Sequence, residues 1–355
     1  MISLSTFPRL LLLWILLAGI VQAESAKAPA NQLLQRLRAQ SGKGVLFGHQ
    51  DSTAYGVDWK GDANRSDIKD VSGHWPVVYG WDLGDIHLDH NLDGVKFSDM
   101  KRLAIEADAR GGINTFSLHL DHPVSGRNAW NKTPVAKKIL PKGSHHESFL
   151  GTLDKIAVFL KELKRKDGTT IPVVLRPFHE HNQSWSWWGM EACSEKEFIS
   201  LWRMSVDHLR KTRGLDSILI AYSPQDISTK EEYLKRYPGD LHVDILGLDF
   251  YDAWHWKKVT KFGEALSMIN QLAAEKGKVA ALTETGVDKV PNADWWTKYL
   301  LKALKHDKWS RKTAWTLVWR NKSKGHHFGP YPGHPSAPDF IEFRKDPLTV
   351  FGSKD

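Results

Sequence analysis

Two glutamates stand just after short apolar segments, among residues suited to acid–base chemistry. Glu180 lies in the aromatic and histidine-rich segment 176–189, and Glu284 lies in the segment Thr283-Glu284-Thr285-Gly286. A pair of carboxyl groups on either side of one bond can hydrolyse a glycoside, with one acting as general acid and base and the other as nucleophile. The alternative is that one or both glutamates are structural ion-pair partners.

The neighbours of the two glutamates predict different protonation states. The indoles of Trp185, Trp187 and Trp188 surround Glu180 in the sequence. Such an apolar environment disfavours the carboxylate and raises the pKa, which suits a general acid. We also expect Arg320 to lie beside Glu284. A nearby cation would keep that carboxylate ionised, as a nucleophile requires.

Eight short apolar segments, rich in β-branched or aromatic residues, alternate along the chain with helical patterns. We interpret them as the strands of the fold that must position the two glutamates. The predicted strands are Val45–Gly48, Val77–Trp81, Ile113–Leu118, Val173–Arg176, Ile218–Tyr222, Ile245–Asp249, Val279–Thr283 and Thr313–Trp319. Strands alternating with helices indicate parallel βαβ units. Eight repeats predict an α/β fold of the (β/α)₈ TIM-barrel type in a single domain. A doubly wound sheet is the alternative, but no Gly-x-Gly-x-x-Gly fingerprint follows the first strand.

The helices are predicted by amphipathic periodicity between the strands. They are Phe97–Arg110, Phe149–Lys166, Glu195–Thr212, Phe262–Lys276 and Trp295–Lys305. Ser194 precedes the third of these and is a suitable N-cap.

Polar, aromatic and titratable residues follow nearly every predicted strand. They occur in His49–Asp51, Trp81–Asp82, His119–His122, Arg176–His181, Asp249–Asp252, Thr283–Gly286 and Trp315–Arg320. The active sites of (β/α)₈ barrels lie at the carboxyl ends of the strands. Since the fourth and seventh strands lie across the barrel mouth from each other, Glu180 and Glu284 are predicted to face one another over a bound ligand.

The segment from Arg176 to Gly189, RPFHEHNQSWSWWG, resembles the acid/base segment of glycoside hydrolase family 26, the β-mannanases of glycosidase clan A. Thr283–Gly286 resembles the nucleophile segment of that family. Phe47–Asp51, Asp249–Asp252 and Trp319–Asn321 match as well, so that the resemblance runs from about residue 44 to residue 329. One departure is His181, where the family often has asparagine, and we expect it to affect the pH optimum rather than the chemistry.

The resemblance implies a retaining double displacement with Glu180 as acid/base and Glu284 as nucleophile. In that mechanism the two carboxyl groups lie roughly 5–5.5 Å apart. The residues that it implies as substrate-binding are His119, His179, Trp185, Asp249, Tyr251, Trp319 and Arg320. It implies neither a cofactor nor a metal ion.

The resemblance also implies how these residues are used. His179 would hydrogen-bond and orient Glu284, and Tyr251 would contact both the nucleophile and the ring in the −1 subsite. Trp319 would form the floor of that subsite, and Arg320 would bind the sugar behind it. Trp185 would be a stacking platform beside the cleaved bond. His119 and Asp249 would contact the reacting sugar.

The implied substrates are the β-1,4-mannosidic linkages of mannan, galactomannan or mannooligosaccharides. Cleavage within the chain, as in a mannan endo-1,4-β-mannosidase, is one mode of action that the resemblance leaves open. Release of mannobiose is the alternative, because the basic, turn-rich segment 132–143 could close one end of the groove. Within the same family, a β-1,3/1,4-glucanase or a β-1,3-xylanase are the alternative activities.

Two hypotheses belong to other classes of protein. The sequence His-Leu-Asp-His occurs at His87–His90 and at His119–His122, and His326-His327 adds a further pair of possible metal ligands. The first hypothesis is therefore a metal-dependent hydrolase on the same barrel. The other is a carbohydrate-binding protein on a barrel that has lost catalysis. The presence of both glutamates argues against the second, and survival of activity in a chelator would argue against the first.

The beginning of the chain predicts export. An apolar run over 10–20 follows Arg9 and precedes Val21-Gln22-Ala23, the pattern of a cleaved signal peptide spanning 1–23. We expect a catalytic domain over 24–355, no membrane anchor after cleavage, and a location in the periplasm or the medium.

Charge and cysteine content narrow the set of partners. The formal net charge is +8, or +7 without Arg9, and the densest basic cluster, around Lys164–Lys166, stands at a predicted helix end. The other cations are scattered among acids, so nucleic-acid binding is not expected. The single cysteine, Cys193, excludes an intramolecular disulfide. We expect a monomer whose partner is a neutral polysaccharide.

Tryptophan is unusually abundant, with 16 residues against 14 phenylalanines and 8 tyrosines. Eight of these tryptophans fall at or just beyond the predicted strand ends, namely Trp81, Trp185, Trp187, Trp188, Trp254, Trp256, Trp315 and Trp319. Others, such as Trp202, Trp295 and Trp296, fall on predicted helices and are expected to pack. Flat apolar faces near the glutamates favour a sugar as the ligand.

Overall fold

The computed structural model describes residues 29–215, 218–251 and 258–354. The predicted signal peptide and the predicted rim tryptophans Trp254 and Trp256 lie outside the described residues. No helix within the described ranges is both long and apolar enough to cross a bilayer.

Eight parallel strands form a closed barrel. They are β1 (Val45–Gln50), β2 (Val78–Asp82), β3 (Ile113–Ser117), β4 (Val173–Arg176), β5 (Leu219–Tyr222), β6 (Ile245–Phe250), β7 (Val279–Thr285) and β8 (Trp315–Val318). Each strand pairs with the next, and β8 pairs with β1 to close the barrel. Every predicted strand overlaps one of these, and the (β/α)₈ prediction is confirmed.

Helices follow the strands and cover the outside of the barrel. They are α1 (Asp67–Ser72), α2 (Phe97–Ala109), α3 (His146–Lys161), α4 (Glu195–Asp207), α5 (Lys230–Leu234), α6 (Val259–Glu275), α7 (Lys302–Leu304) and α8 (Ala337–Lys345). Ser194 caps α4 in a reciprocal capping box with Glu197, as predicted. The π-helical segment His208–Thr212 continues α4, and another, Trp296–Leu301, precedes α7.

Shorter elements lie around the barrel. They are the strand pairs Tyr55–Gly56 with Trp59–Lys60 and Asn321–Ser323 with His326–His327, the strand Thr349–Val350, the helical turn Ala136–Ile139, and the 3₁₀ turns Asp240–His242 and Ser310–Lys312. A helix over 29–40 packs Leu33 and Leu37 against the apolar residues at the amino-terminal ends of the strands. This helix covers the end of the barrel opposite the predicted site.

The barrel interior changes from apolar to polar along the strands. Near the strand starts it contains Leu46, Val174 and Ile245, which belong to one buried apolar cluster. Near the strand ends it contains buried polar residues, which include Gln50, Asp82, Arg176, Asp249 and Thr283. Buried charges are costly unless they are paired and hydrogen-bonded. Their concentration at one end therefore marks the functional end of the barrel.

A β-bulge at the end of β7 redirects Glu284. Leu248 of β6 pairs with Leu282, but the next β6 residue, Asp249, pairs with Glu284, so β7 contains one additional residue. In a regular strand, successive side chains point to opposite faces. Because a bulge interrupts this alternation, Thr283 and Glu284 both reach partners inside the barrel.

Candidate active site

Glu284 lies in β7 and both of its carboxylate oxygens are hydrogen-bonded. The hydroxyl of Tyr251 donates to Oε1 over 2.6 Å, the contact that the family resemblance implied, and Arg176 donates to Oε2. Glu284 is buried, with 4% of its surface exposed. A guanidinium and a hydroxyl donor therefore hold this carboxylate in position for nucleophilic attack.

The prediction that Arg320 is the cation beside Glu284 is wrong, because Arg176 occupies that position. Arg176 is the last residue of β4, and its side chain reaches across the barrel interior to β7. Arg320 follows β8 and forms an ion pair with Asp93, which also lies 3.6 Å from Lys322. The loop after β2, which carries Asp93, therefore holds Arg320 away from the nucleophile.

Arg176 joins Glu284 to Asp249. Its Nη1 donates to Asp249 Oδ2 over 2.6 Å, and Thr283 donates to Asp249 Oδ1 over 2.7 Å. Ser223 donates to the same Oδ2 over 3.1 Å. Burial acts to lower the pKa of Arg176, but the Asp249 and Glu284 carboxylates outweigh it and raise the pKa. Asp249 is fully buried, so the structure places it beneath the cleft as a support for Arg176.

Glu180 follows β4 and has a backbone conformation that disfavours side-chain-bearing residues. Its φ is 53°, and that of Phe178 is 47°, both in the left-handed region. The backbone amide of Glu180 donates to Ser223 over 2.9 Å, and the indole of Trp185 donates to its carboxylate over 3.1 Å. Burial, followed by the charges of Glu284 and Asp249, raises the pKa of Glu180 well above its usual range. A carboxyl group that keeps its proton can act as a general acid.

The prediction that His179 hydrogen-bonds Glu284 is wrong. His179 Nε2 lies 3.1 Å from His119 Nε2, and His119 Nδ1 lies 2.7 Å from Asp82 Oδ2. His119 follows the neighbouring strand β3, so it meets His179 on the same side of the mouth, whereas Glu284 comes from β7 on the opposite side. His179 Nδ1 is buried and forms no hydrogen bond within the described chain.

The pKa values of the two histidines are shifted in opposite directions. Burial acts to lower the pKa of His119, but the Asp82 carboxylate outweighs it and raises the pKa. Burial and the nearby Arg176 lower the pKa of His179 well below its usual range. These opposite shifts favour His119 as the donor toward both Asp82 and His179. Asp82 was not among the predicted site residues, although its position at a strand end was a usable signal.

His181 does not behave as its place in the motif suggested. It is 1% exposed and lies between Phe198 and Tyr222, with ring centroids 4.4 and 4.7 Å away. Burial and Arg236 lower the pKa of His181 well below its usual range. A neutral, packed imidazole argues against the expected effect of this residue on the pH optimum.

The tryptophans near the strand ends divide into two groups. Trp81, Trp187, Trp188 and Trp315 are at most 2% exposed. The indoles of Trp187 and Trp188 donate to backbone carbonyls of Leu120 and His179, so they position loops. Counting them as part of the aromatic rim that a sugar contacts was therefore wrong. Trp185, by contrast, is 37% exposed, and Trp319 is half-buried.

Trp130 is an aromatic residue of the cleft that sequence reasoning missed. It is 49% exposed and stacks on His119, with ring centroids 5.6 Å apart and planes at 28°. Trp319 also lies beside His119, at 6.1 Å between ring centroids. Only the neighbouring segment 132–143 was predicted to shape the groove, as a wall at one end. An exposed tryptophan in a loop after a barrel strand was the available signal.

A second polar cluster lies where β1 and β8 end. Asp51 accepts a hydrogen bond from Tyr55 over 2.7 Å, and burial raises the pKa of Asp51 to about 7 despite the hydrogen bond and the charge of Arg320. Arg320 itself is largely buried, with 14% of its side chain exposed. Arg320 connects this cluster to Asp93 in the loop after β2.

Each His-Leu-Asp-His sequence contributes one residue, His87 or Asp121, to a group that Asp85 completes, and the ligand atoms of the three lie within 4.8 Å of one another. Burial together with Asp85 raises the pKa of Asp121 to about 6. His119 is bonded to Asp82, and His122 lies 3.1 Å from the carbonyl of Thr133. The first three residues could hold a divalent cation, but the group contains neither glutamate.

A (β/α)₈ barrel with one glutamate in β7 and another after β4, beneath exposed aromatic side chains, has the architecture of a glycoside hydrolase that uses two carboxyl groups. Residues 21–323 match the sequence profile of Glycosyl hydrolase family 26. The chain belongs to this family.

Relatives of known name are mannan endo-1,4-beta-mannosidases. The chain is 34% identical over 362 residues to the mannan endo-1,4-beta-mannosidase of Bifidobacterium adolescentis. The aligned region covers 93% of this chain and 35% of the relative. It is 30% identical over 286 residues to the enzyme of the same name from Bacillus subtilis strain 168, and this aligned region covers 76% of this chain and 72% of the relative. The chain thus spans about a third of the length of the first relative.

Solved structures show the same fold. A GH26 beta-mannanase from Bacteroides ovatus superimposes with a TM-score of 0.87 and 40% identity, over 92% of this chain and 94% of that one. A modular endo-beta-1,4-mannanase from Cellulomonas fimi superimposes with a TM-score of 0.85 and 36% identity, over 91% and 75%.

Proposed function

We propose that this protein is a retaining β-mannanase that hydrolyses β-1,4-mannosidic linkages of mannan, galactomannan or mannooligosaccharides. Glu284 is the nucleophile and Glu180 is the acid/base. The observation that carries the proposal is the contrast between the two carboxyl groups. Glu284 is bonded to Arg176 and Tyr251, whereas burial and neighbouring negative charge raise the pKa of Glu180. The names of the relatives support mannan as the substrate class.

In the first step, Glu284 attacks the anomeric carbon while Glu180 protonates the departing glycosidic oxygen. The C–O bond to the leaving group breaks as an ester bond to Glu284 forms, and the leaving chain departs with the proton of Glu180. Arg176 and Tyr251 hold the attacking carboxylate in position, which lowers the entropic part of the barrier.

In the second step, the change in the charge of Glu284 converts Glu180 from acid to base. The negative charge of Glu284 contributes to the raised pKa of Glu180. Esterification removes that charge, so the pKa of Glu180 falls and its carboxylate can take a proton from water. The water then attacks the anomeric carbon, Glu284 departs, and the product keeps the β configuration.

The exposed aromatic residues supply the surfaces for sugar rings. Trp319 lies beside His119, Trp185 donates a hydrogen bond to Glu180, and Trp130 stacks on His119. Indole faces cover the apolar faces of pyranose rings, and the surrounding polar groups bind their hydroxyls. These three tryptophans therefore define the path of the polysaccharide over the two glutamates.

Replacing Trp130 by alanine is expected to raise KM for mannooligosaccharides roughly three- to tenfold and to change kcat less, since one aromatic contact contributes about 0.5–1.5 kcal/mol. Trp309→Ala is the matched control, because this half-buried indole lies near Lys308 and Lys312 in the segment that leads into β8, at the opposite end of the barrel. Steady-state kinetics on mannotetraose would measure both. Equal KM values for Trp130→Ala and Trp309→Ala would contradict the assignment.

We further propose cleavage within the polymer rather than release of mannobiose alone. Early products from mannan should be a mixture of oligosaccharides, with a rapid fall in viscosity, and proton NMR should detect the β-anomer first. Mixed-linkage β-glucan and β-1,3-xylan are the control polymers and should be hydrolysed poorly. Mannobiose as the only early product, or initial formation of the α-anomer, would overturn this assignment.

Activity is expected to survive treatment with a chelator, because the proposed steps use only side-chain groups. A loss of activity that an added divalent cation restores would favour the metal-dependent alternative. The group Asp85, His87 and Asp121 would then be its candidate site.

We also propose that the protein is exported and acts as a monomer on neutral polysaccharide. The leader-like sequence 1–23 supports export to the periplasm or the medium. The two carboxyl groups and the exposed tryptophans proposed to bind sugar all lie in this chain, so the proposed steps require no second copy of it. Mass spectrometry of the mature amino terminus would test export, and light scattering of the purified protein would test the monomeric state.

A further inference from the structure

The loop that carries Glu180 has to be held from outside. We define the acid/base loop as residues 177–194, between β4 and α4. Phe178 and Glu180 both have φ values in the left-handed region, at 47° and 53°. Such conformations in residues with side chains persist only where surrounding structure maintains them. The contacts that maintain this loop therefore bear on the placement of the Glu180 carboxyl group.

The start of the acid/base loop is fixed by the end of β5. The amide of Glu180 donates to the carbonyl of Ser223 over 2.9 Å. The side-chain amide of Asn182 donates to the carbonyl of Gln225 over 2.7 Å and accepts from its N–H over 2.8 Å. These contacts secure residues 180–182 but leave the remainder of the loop to other partners.

A single buried guanidinium connects distant parts of the same loop. Arg236, just after α5, is 3% exposed. Its Nη1 donates to the carbonyls of His181 and Trp188, the latter over 3.3 Å. Its Nη2 donates to the carbonyls of Cys193 over 2.5 Å and Ser194 over 3.4 Å. The cation thus binds the residue next to Glu180, the middle of the loop and its end.

The chemistry of these contacts indicates positioning rather than general stabilisation. The N–H groups of Arg236 meet main-chain carbonyls rather than carboxylates, and the guanidinium lies 4.2 Å from the ring centroid of Phe198. A planar fork of several donors reaches separate carbonyls at once, which a lysine ammonium cannot reproduce. Arg236 binds the backbone carbonyl of Trp188, and the Trp188 indole N–H in turn donates to the backbone carbonyl of His179.

We propose that Arg236 is a positioning residue for general acid catalysis. By joining the two ends of the acid/base loop, it keeps the Glu180 carboxyl group at the place where the glycosidic oxygen must receive a proton. This inference rests on the proposed function of Glu180. It adds a residue that lies in a different βα unit and whose hydrogen bonds go to backbone carbonyls of the acid/base loop rather than to the Glu180 carboxyl group.

The test compares substrates that differ in their need for an acid. Mannotetraose has a poor leaving group that must be protonated, whereas 2,4-dinitrophenyl β-mannobioside has a good one. The variants are Arg236→Met and Arg236→Lys. Displacement of a catalytic group by about 1 Å can cost roughly 10²-fold in rate. We expect kcat/KM of Arg236→Met to fall about 30- to 100-fold on mannotetraose, within the range general acid catalysis supplies, and less than about threefold on the dinitrophenyl substrate.

Arg203→Met is the matched control, since Arg203 on α4 also donates to a backbone carbonyl, that of Pro238, over 2.6 Å. Its losses on the two substrates should be equal. Near-ultraviolet circular dichroism and Tm identify variants with a native fold, and Arg236→Lys carries the test if the methionine variant does not fold. Equal losses on both substrates, or no loss, in a folded Arg236 variant would overturn the inference.

The outcome also separates this inference from the proposed function. Absence of mannan hydrolysis by the unmodified protein would remove the proposed function. A wild-type enzyme whose Glu180→Ala variant discriminates between the two substrates, together with folded Arg236 variants that do not, would remove the inference alone.

Discussion

Replacement of Glu284 by alanine or glutamine is expected to lower kcat on mannan and on activated mannosides by roughly four to six orders of magnitude, as for other covalent nucleophiles. The loss should be the same for good and poor leaving groups, because both require the ester to Glu284. Glutamine can still accept from Tyr251 but carries no negative charge to attack carbon. Initial rates with mannotetraose and a dinitrophenyl mannobioside would measure the effect.

The fold should survive this change. Arg176 keeps its hydrogen bond to Asp249, and Asp249 keeps the hydrogen bonds that it accepts from Thr283 and Ser223. Glu275→Gln is the control, because this glutamate on α6 pairs with Lys230 at the surface. A Glu284 variant that retained activity within about tenfold of wild type would exclude a nucleophilic role. Mass spectrometry of the wild-type protein trapped with a 2-fluoro mannoside should place the adduct on the peptide that contains Glu284.

Replacement of Glu180 by alanine is expected to have the second-largest effect, and that effect should depend on the leaving group. General acid catalysis contributes roughly 10²- to 10⁴-fold, so kcat/KM on mannotetraose should fall by that amount. On the dinitrophenyl substrate, kcat/KM should change little, because glycosylation then needs no proton. Azide should raise kcat for the activated substrate, since a small anion can replace the water that Glu180 no longer activates.

The pH dependence gives a further readout of Glu180. The protonated group is the active acid, so kcat/KM on mannotetraose falls as the pH rises through its pKa. Burial and the charges of Glu284 and Asp249 raise that pKa, so the alkaline limb should lie above the pH at which an ordinary glutamic acid ionises. Glu180→Ala should lack this limb. Equal losses on both substrates together with an unchanged alkaline limb would contradict the acid assignment.

Several features of the site were readable from the sequence because they depend on local pattern. Each barrel strand is a short apolar segment, and polar residues follow at its carboxyl end, so the fold and the general position of Glu180 and Glu284 could be predicted. Ser194 and Glu197 form a capping box that is itself a local motif. Such features need no knowledge of which segments meet in space.

Contacts between side chains of different strands could not be predicted in the same way. Arg176 rather than Arg320 meets Glu284, and His119 rather than Glu284 meets His179. Which groups touch inside a barrel depends on closure and register. A bulge in β7 adds one residue and turns Thr283 and Glu284 into the interior together. The strand sequence alone does not specify where such a bulge falls.

The opposite fates of the tryptophans show the same limit. Trp81 and Trp130 both follow or end strands that lead to the mouth, yet the first is fully buried and the second is 49% exposed. Arg236 had no sequence signal at all, because its acceptors are backbone carbonyls 42 to 55 residues away. The sequence by itself determined the barrel, the family and the two glutamates. The tertiary structure alone decided which charges pair, which aromatic faces remain open to a sugar, and what holds the acid in place, because these depend on distances between segments that are remote in the chain.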